Sequence, residues 1–190
     1  MIVESIVTTV DGLGRANFAP MGVEWGEAEI VLKPYRETAT FRNLLETGQA
    51  VVNLVDEVSY FVQGALSSPS FPSRPASVVT GAVMEAACSW RELRLLESET
   101  AEARARFRCA VVHRGFQREF VGYNRARAAV IEATILATRT RILPIADILA
   151  EFGRLQVIVD KTAGPAEREA MESLTEFVHK EAARQRSATP

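Results

Sequence analysis

Asn17-Phe18-Ala19-Pro20-Met21-Gly22-Val23 decides how the first half of this chain is read. It lies inside an extended run from Ala16 to Glu24. Pro20 has no backbone donor to give a ladder, so this strand is expected at a sheet edge or kinked there. The backbone groups beside Pro20 and Gly22 are then left for something other than a neighbouring strand. Just upstream, Ile2 to Val10 is β-branched and ends at Asp11-Gly12-Leu13-Gly14, a hairpin turn signal. Downstream, Trp25-Gly26-Glu27 turns the chain into a third strand, Ala28 to Leu32.

Next comes Lys33-Pro34-Tyr35-Arg36, which gathers fixed positive charge, and then Thr38 to Thr47, which reads as a short helix. Phe41, Leu44 and Leu45 recur at helical spacing and Gly48 stops the run. Ala50 to Val55 is a compact apolar stretch with the look of a buried strand. Glu57 to Leu66 reads as a second short helix, and Ser67 to Ala76, rich in proline and serine, as a loop.

Two long strands are expected after that loop. From Glu102 to Val111 the apolar positions Ala103, Ala105, Phe107, Cys109 and Val111 alternate with Glu102, Arg104, Arg106 and Arg108, one buried and one wet face. The partner is Val83 to Leu96, across a turn near Ser98 to Ala101. Phe116 to Val121 is expected as a last strand, after a turn at His113-Arg114-Gly115. From Asn124 the period becomes helical: Arg125 to Thr138, a helix from Pro144 through Leu149 and Phe152, and a final helix opened by Gly164-Pro165. The last carries Ala170, Met171, Leu174, Phe177 and Val178 on one face. Disorder is expected from Arg184 to Pro190. The division expected is residues 1–122 as a β-rich domain and 123–190 as a helical extension.

Bulk properties bound the function. The chain has 190 residues, 47% hydrophobic and 24% charged, with net charge −2, so no global field recruits nucleic acid. The N-terminus lacks the basic start and long apolar run of a signal peptide, and no membrane span is expected. Cys88 and Cys109 form neither a disulfide framework nor a metal motif; with no span and reduced thiols, a cytoplasmic location is expected. His113 and His179 are far apart and lack metal-ligand spacing. No serine sits in a nucleophile elbow. Arg104, Arg106 and Arg108 lack interleaved aromatics and are expected to be solvated or ion-paired rather than nucleic-acid-binding. Glu132 is expected to pair with Arg125 or Arg139.

The N-terminal pieces combine into a candidate site. A helix start supplies unpaired N–H groups and a positive dipole end. Thr38 or Thr40 is placed to cap it, with Asn43 one turn on, and Arg36 offers a fork matched to phosphate oxygens. Singly, each has an ordinary reading: a cap, a surface charge, a bulge in a barrel wall. Together they describe a flat apolar ligand with an anionic tail.

The segments Ile6-Val7-Thr8-Thr9, Asn17-x-Ala19-Pro20-Met21-Gly22-Val23, Thr40-x-x-Asn43-Leu44 and Val52-Asn53-Leu54-Val55-Asp56 resemble the DUF447 family. So does Gly122-Tyr123-Asn124-Arg125-Ala126 through Ile131-Glu132-Ala133. That family belongs to the split-barrel superfamily of flavin reductase-like proteins that bind flavin mononucleotide (FMN). The resemblance implies an α+β fold, mainly β: a six-stranded antiparallel split β-barrel with Greek-key character and a C-terminal helical extension. It also implies a homodimer with FMN near the interface. Asn17, Ala19, Pro20, Met21 and Gly22 would line the isoalloxazine, and Asn53 and Val55 would approach it from the other side. Lys33, Pro34, Tyr35 and Arg36, with Thr38, Thr40 and Asn43, would hold the phosphate. The activities implied are an FMN-dependent oxidoreductase served by NAD(P)H or another small redox partner, an FMN carrier without turnover, or reduction of a pterin-like substrate. No G-x-G-x-x-G fingerprint is present for a resident nicotinamide.

Overall fold

The computed structural model describes the backbone of residues 1–188 and the side chains of residues 1–186. Strand β1 (Ile2–Val10) pairs along its whole length with β2 (Ala16–Trp25), from Ile2 opposite Glu24 to Val10 opposite Ala16. The Asp11 carboxylate closes their turn by accepting the Leu13 and Arg15 amides at 3.0 and 2.9 Å. β2 meets β3 (Glu29–Leu32) at only two positions, Glu24 with Val31 and Trp25 with Ile30. β3 stays instead with β8 (Arg106–Phe116), from Glu29 opposite Ala110 to Leu32 opposite Phe107. The chain then continues along that path: the Ala105 amide donates to the Pro34 carbonyl at 3.1 Å and the Arg36 amide to the Ala103 carbonyl at 3.2 Å.

β2 therefore parts from β3 beyond Glu24, and its edge from Ala16 to Val23 is open on that side. Pro20 is tolerated for this reason. The register with β1 runs unbroken through Ile6 opposite Pro20, which is possible only if the missing donor faces the open edge. The strand is an edge without a kink.

β4 (Gln49–Leu54) pairs with β1 on one side and with β7 (Ser89–Glu99) on the other, and β7 pairs with β8. The order β1-β2-β3-β8-β7-β4 closes a six-stranded antiparallel barrel, and the β3–β4 connection crosses to a non-neighbouring position in Greek-key fashion. That connection carries α1 (Ala39–Thr47). Gly48 ends it at φ 63°, its amide reaching the Leu44 carbonyl at 3.0 Å, a conformation glycine adopts without steric cost. Leu44 drops into the barrel beside Val7, Val23, Ile30, Leu32, Val52, Leu93 and Phe107, all fully buried. Each such side chain contributes about 1.5–3 kcal/mol by leaving water.

Three stretches differ from the sequence reading. Ser67 to Ala76 is not all loop: β5 (Ser73–Pro75) pairs with β6 (Ala82–Met84), and this excursion places Val79 and Val83 on Val51 and Trp90. The outer face of β4 is apolar there and requires a cover. The strand expected from Val83 to Leu96 is accordingly broken between β6 and β7. Finally, His113-Arg114-Gly115 is not a turn. β8 runs through it to Phe116, and residues 117–121 form no strand. A Cβ on Gly115 would sit 2.0 Å from the Trp90 ring, so this glycine marks a close approach and not a bend. The chain beyond is folded back, with the Gln117 and Arg118 amides both on the Cys88 carbonyl and the Arg118 guanidinium on Asp56 at 3.0 Å.

Contacts divide the chain into two compact units, Met1–Asp56 with Ser68–Phe120, and Glu57–Ser67 with the helices from Val121 onward. The second contains α2 (Ser59–Leu66), α3 (Arg125–Ala137), α4 (Ile145–Thr162) and α5 (Pro165–Ala188). Val58 and Val62 pack with Ala126, Val130, Ile148, Phe152, Met171, Leu174 and Val178. The Asn124 side chain caps α3, accepting from the Ala126 and Arg127 amides. Glu167 accepts the Gly164 amide at 2.9 Å and pairs with Arg127 at 3.0 Å. Glu132 is exposed and makes no ion pair with Arg125 or Arg139 among the described residues. α5 is helical to Ala188, with Gln185 donating to the Thr140 carbonyl at 2.7 Å, so the expected disorder from Arg184 is not seen as far as that residue. Thr189 and Pro190, the rest of that expectation, lie outside the described residues. Among the described residues no helix is long and apolar enough to cross a membrane.

Candidate functional site

The open edge of β2 and the segment Lys33 to Thr40 run antiparallel past each other, pinned at both ends. At one end Lys33 forms an ion pair with Glu24. At the other, Asn17 Nδ2 donates to Thr40 Oγ1 at 3.0 Å. Seven residues separate the pins on each side: Asn17 to Glu24 is extended strand, roughly 23 Å long, whereas Lys33 to Thr40 passes through a single bridge at Tyr35, a turn and the start of α1. Between them lie the outward backbone groups of Phe18, Pro20 and Gly22, without a strand to meet.

The pins are built by local chemistry. Thr38, not Thr40, is the N-cap of α1: its hydroxyl accepts the Phe41 amide at 3.3 Å and donates to the Tyr35 carbonyl at 2.7 Å. Thr40 is thereby turned inward and is 1% exposed. Asn43, one turn on, donates to Thr9 Oγ1 at 3.0 Å, and Thr9 is the cross-strand partner of Asn17. Asn17, Thr9, Thr40 and Asn43 thus form a hydrogen-bonded plug that seats α1 on the end of the barrel. Ala19 and Met21 share the inward face with Asn17, and Met21 packs on the core.

Arg36 is exposed, and its guanidinium has no side-chain partner among the described residues. Tyr35 is half-exposed under the Arg104 guanidinium, 5.1 Å from the ring centre, and Pro34 is buried. The Ala39 and Thr40 amides, at the start of α1, carry no acceptor among the described residues. Arg42 was not singled out by the sequence reading. It lies in the first turn of α1 with its guanidinium on the Glu37 carbonyl at 2.8 Å, bringing a second charge to the same helix start; a basic residue within one turn of a cap is the signal that identifies it. Lys33 is committed to Glu24, whose carboxyl is held below the ordinary range chiefly by that hydrogen bond.

Asn53 and Val55 are buried on the other side of β1. Asn53 donates to the Ile6 carbonyl at 3.0 Å and accepts the Met84 amide at 2.9 Å, tying β1, β4 and β6 together. The same outer face carries a fully buried carboxylate missed in the sequence. Glu92 accepts the amides of Ser77, Val78 and Val79 at 2.8, 2.6 and 3.1 Å, and the Trp90 indole at 3.3 Å. Burial alone would push its carboxyl up, but these donors prevail and hold it below its ordinary value. An isolated glutamate in a strand gives no such signal in sequence. Arg106 and Arg108 of the basic row are ion-paired within the chain, Arg108 to Glu29 and Glu97 at 3.1 and 3.0 Å and Arg106 to Glu99 at 3.7 Å. A shallow cavity of about 460 Å³ lies apart from Arg36 and Thr40, at the Trp25 end of β2 between Ile2, Glu24 and Val31.

Two family models match this chain: the N-terminal domain of DUF447, a protein of unknown function, over residues 3–118, and the second DUF447 model over residues 124–176. The chain belongs to the DUF447 family. Its fold is shared with an FMN-bound DUF447 protein, MM1853 from Methanosarcina mazei, at 23% identity and a TM-score of 0.81, over 93% of this chain and 94% of that one. A split-barrel-domain protein from Shewanella frigidimarina matches at 14% identity and 0.54, over 63% and 69% of the two chains. The 2-nitrobenzoate 2-nitroreductase NbaA of Pseudomonas fluorescens matches at 20% identity and 0.53, over 60% and 64%. These similarities place the DUF447 chain in the split-barrel fold. The curated proteins contain no match to it.

Proposed function

We propose that this DUF447 protein is an FMN-binding flavoprotein that acts as an oxidoreductase on a small substrate. The observation that carries the reading is the pinned opening along β2: unpaired strand backbone on one side, an unspent guanidinium and a helix start on the other. The residues fit the group. Arg36 and the Ala39 and Thr40 amides supply donors for a phosphate, with the positive end of α1 behind them. The open backbone at Phe18, Pro20 and Gly22 supplies donors and acceptors for the polar edge of a flat ring. Asn17, Thr40 and Asn43 act as the scaffold that holds these parts in register. Bound there, FMN would supply the hydride and electron chemistry, and the protein's part is binding, orientation and exclusion of water.

The FMN-bound state of the Methanosarcina protein and the nitroreductase activity in the Pseudomonas protein's name support this reading. We further propose a homodimer with the flavin near its interface, a nicotinamide nucleotide or other small molecule as transient electron donor, and a cytoplasmic setting in which the buried Cys88 and Cys109 stay reduced.

The test is direct. Purified protein, or protein given FMN, should absorb near ~450 nm as a bound flavin does. Protein that stays colourless and takes up no added FMN overturns the proposal. Anaerobic bleaching by NADH or NADPH supports the oxidoreductase. Retained flavin that neither nucleotide nor dithionite-coupled acceptors can cycle supports a carrier. Sedimentation of the flavin-loaded protein decides the dimer.

A further inference from the structure

Two arginines stand directly opposite each other across the β7–β8 pair: Arg91 faces Arg114. Like charges so placed repel. Only one of them is neutralised. Arg114 donates to the Glu27 carboxylate at 2.9 Å and also to the Glu27 carbonyl. Arg91 has no carboxylate partner among the described residues. Its Nη1 donates to the Trp90 carbonyl at 2.9 Å and its guanidinium lies 5.2 Å over the Trp25 ring. Stacking on an indole stabilises the cation through its face, but leaves the in-plane donors of Nε and Nη2 unspent. The group is half-buried, and burial followed by the charge of Arg114 depresses its pKa, with Glu27 acting the other way.

The side chains converge on one end of the barrel. Arg91 shares a face of β7 with Leu93, which is buried in the barrel core, and Trp25 packs on the same core. Asn17 and Trp25 lie at opposite ends of β2, eight residues or roughly 26 Å apart along the strand. The far end from α1 thus carries Trp25, the Arg91 and Arg114 guanidinia and the Glu27 carboxylate; Glu24 and Glu29, also at this end, are taken by Lys33 and Arg108, so that among the described residues Arg91 is the guanidinium there without a carboxylate.

We infer that the Trp25 end of the barrel binds the oxyanion group, carboxylate or phosphoryl, of a small molecule. Arg91 is the bidentate donor through Nε and Nη2, Arg114 contributes the second charge, and Trp25 holds the Arg91 fork in place. This site is independent of the flavin reading. Arginine suits the role because its planar fork matches two oxygens of one anion, whereas lysine offers a point charge.

The experiment compares thermal unfolding of the full chain in inorganic phosphate, benzoate and chloride at matched ionic strength, for wild type, Arg91→Met and Arg91→Lys. Phosphate or benzoate should raise the wild-type Tm above its value in chloride. Arg91→Met should lose that rise while unfolding in chloride no earlier than wild type, because removing Arg91 also removes the repulsion with Arg114. Arg91→Lys should keep only part of the rise. Titration calorimetry with the better anion should show affinity about tenfold weaker or more for Arg91→Met, as loss of a charge-assisted pair implies. The larger of the phosphate and benzoate responses identifies the class of ligand. Equal anion responses in wild type and Arg91→Met overturn the inference. So does an Arg91→Met protein that unfolds earlier in every buffer by the same amount, which would make Arg91 a packing residue only.

Discussion

Asn17 donates to Thr40 across the opening between β2 and the 33–40 segment, at 3.0 Å, and seven residues farther along each segment Glu24 pairs with Lys33. These two contacts hold the split in the barrel at a fixed width. They tie an open strand edge, which a lone strand could not keep ordered, to a helix whose start carries exposed positive charge.

Replacing Asn17 by Ala removes one pin and leaves the buried Thr40 hydroxyl without its donor. Loss of a buried hydrogen bond of this kind costs about 1–3 kcal/mol. Urea unfolding should show the midpoint fall with the m-value unchanged; an unaltered midpoint would mean the pin is not part of the stability of the fold.

Arg36→Ala should weaken FMN binding by about 1.5–3 kcal/mol, the range for a charge-assisted hydrogen bond, or roughly ten- to hundredfold. Arg104 is a poor control, because it stacks on Tyr35 and donates to the Lys33 carbonyl at 3.2 Å. Arg108, engaged by Glu29 and Glu97, is the better one. Flavin fluorescence quenching measures both, and equal losses for Arg36→Ala and Arg108→Ala would place the phosphate elsewhere.

Glu92 gives the protein a defined acid limb. Its carboxyl is held below the ordinary value of 4.5, so its stabilising effect is complete above about that pH and is lost as pH falls through the depressed folded value. Glu92→Gln should therefore be less stable than wild type at pH 7, with the gap closing below pH ~4.5. Unfolding followed across that range checks it, and a gap independent of pH would remove the charge from the explanation.

Gly115→Ala places a methyl where the Trp90 ring already lies, 2.0 Å from it. Overpacking of this kind costs about 1–3 kcal/mol. The Tm should fall and the tryptophan emission should change, since Trp90 is one of only two indoles in the chain. An unchanged spectrum would mean the strand backbone moved and the ring did not.

Cys109 is buried and its thiol is pushed up to about 12 by that burial. It should resist thiol reagents in the native protein and react fully in denaturant. Fast reaction of both thiols under native conditions would show that the barrel opens readily.

Elements governed by local chemistry could be read directly. The helix at 39–47 announces itself through Thr38 and Gly48, and the last helix through Pro165 and Glu167. The alternation before Val111 marks a strand with one face inside, and the β-branched run before Asp11 marks another. The elements that differ from local expectation depend on contacts distant in sequence. Gly115 looks like a turn residue until Trp90 is found against it, because glycine serves both turns and close approaches. Ser73 to Pro75 looks like loop until Val51 and Trp90 are seen to need a cover. Ser59 to Leu66 is a helix by pattern, yet its packing with α3 is a tertiary choice.

The candidate site divides in the same way. Pro20 by itself required an edge or a kink, since a residue without an N–H cannot complete the ladder between two paired strands. The sequence thus determined that this strand is an edge or is kinked, that a capped helix with Arg36 beside it follows, and that the chain from Asn124 onward is helical. Only the tertiary structure decided that Asn17, Thr40 and Asn43 spend their hydrogen bonds on seating that helix, that Lys33 is taken by Glu24, and that Arg36 has no side-chain partner among the described residues. Residue type fixes which hydrogen bonds a side chain can make; which of them it does make is settled by the partners that folding brings within about 3 Å.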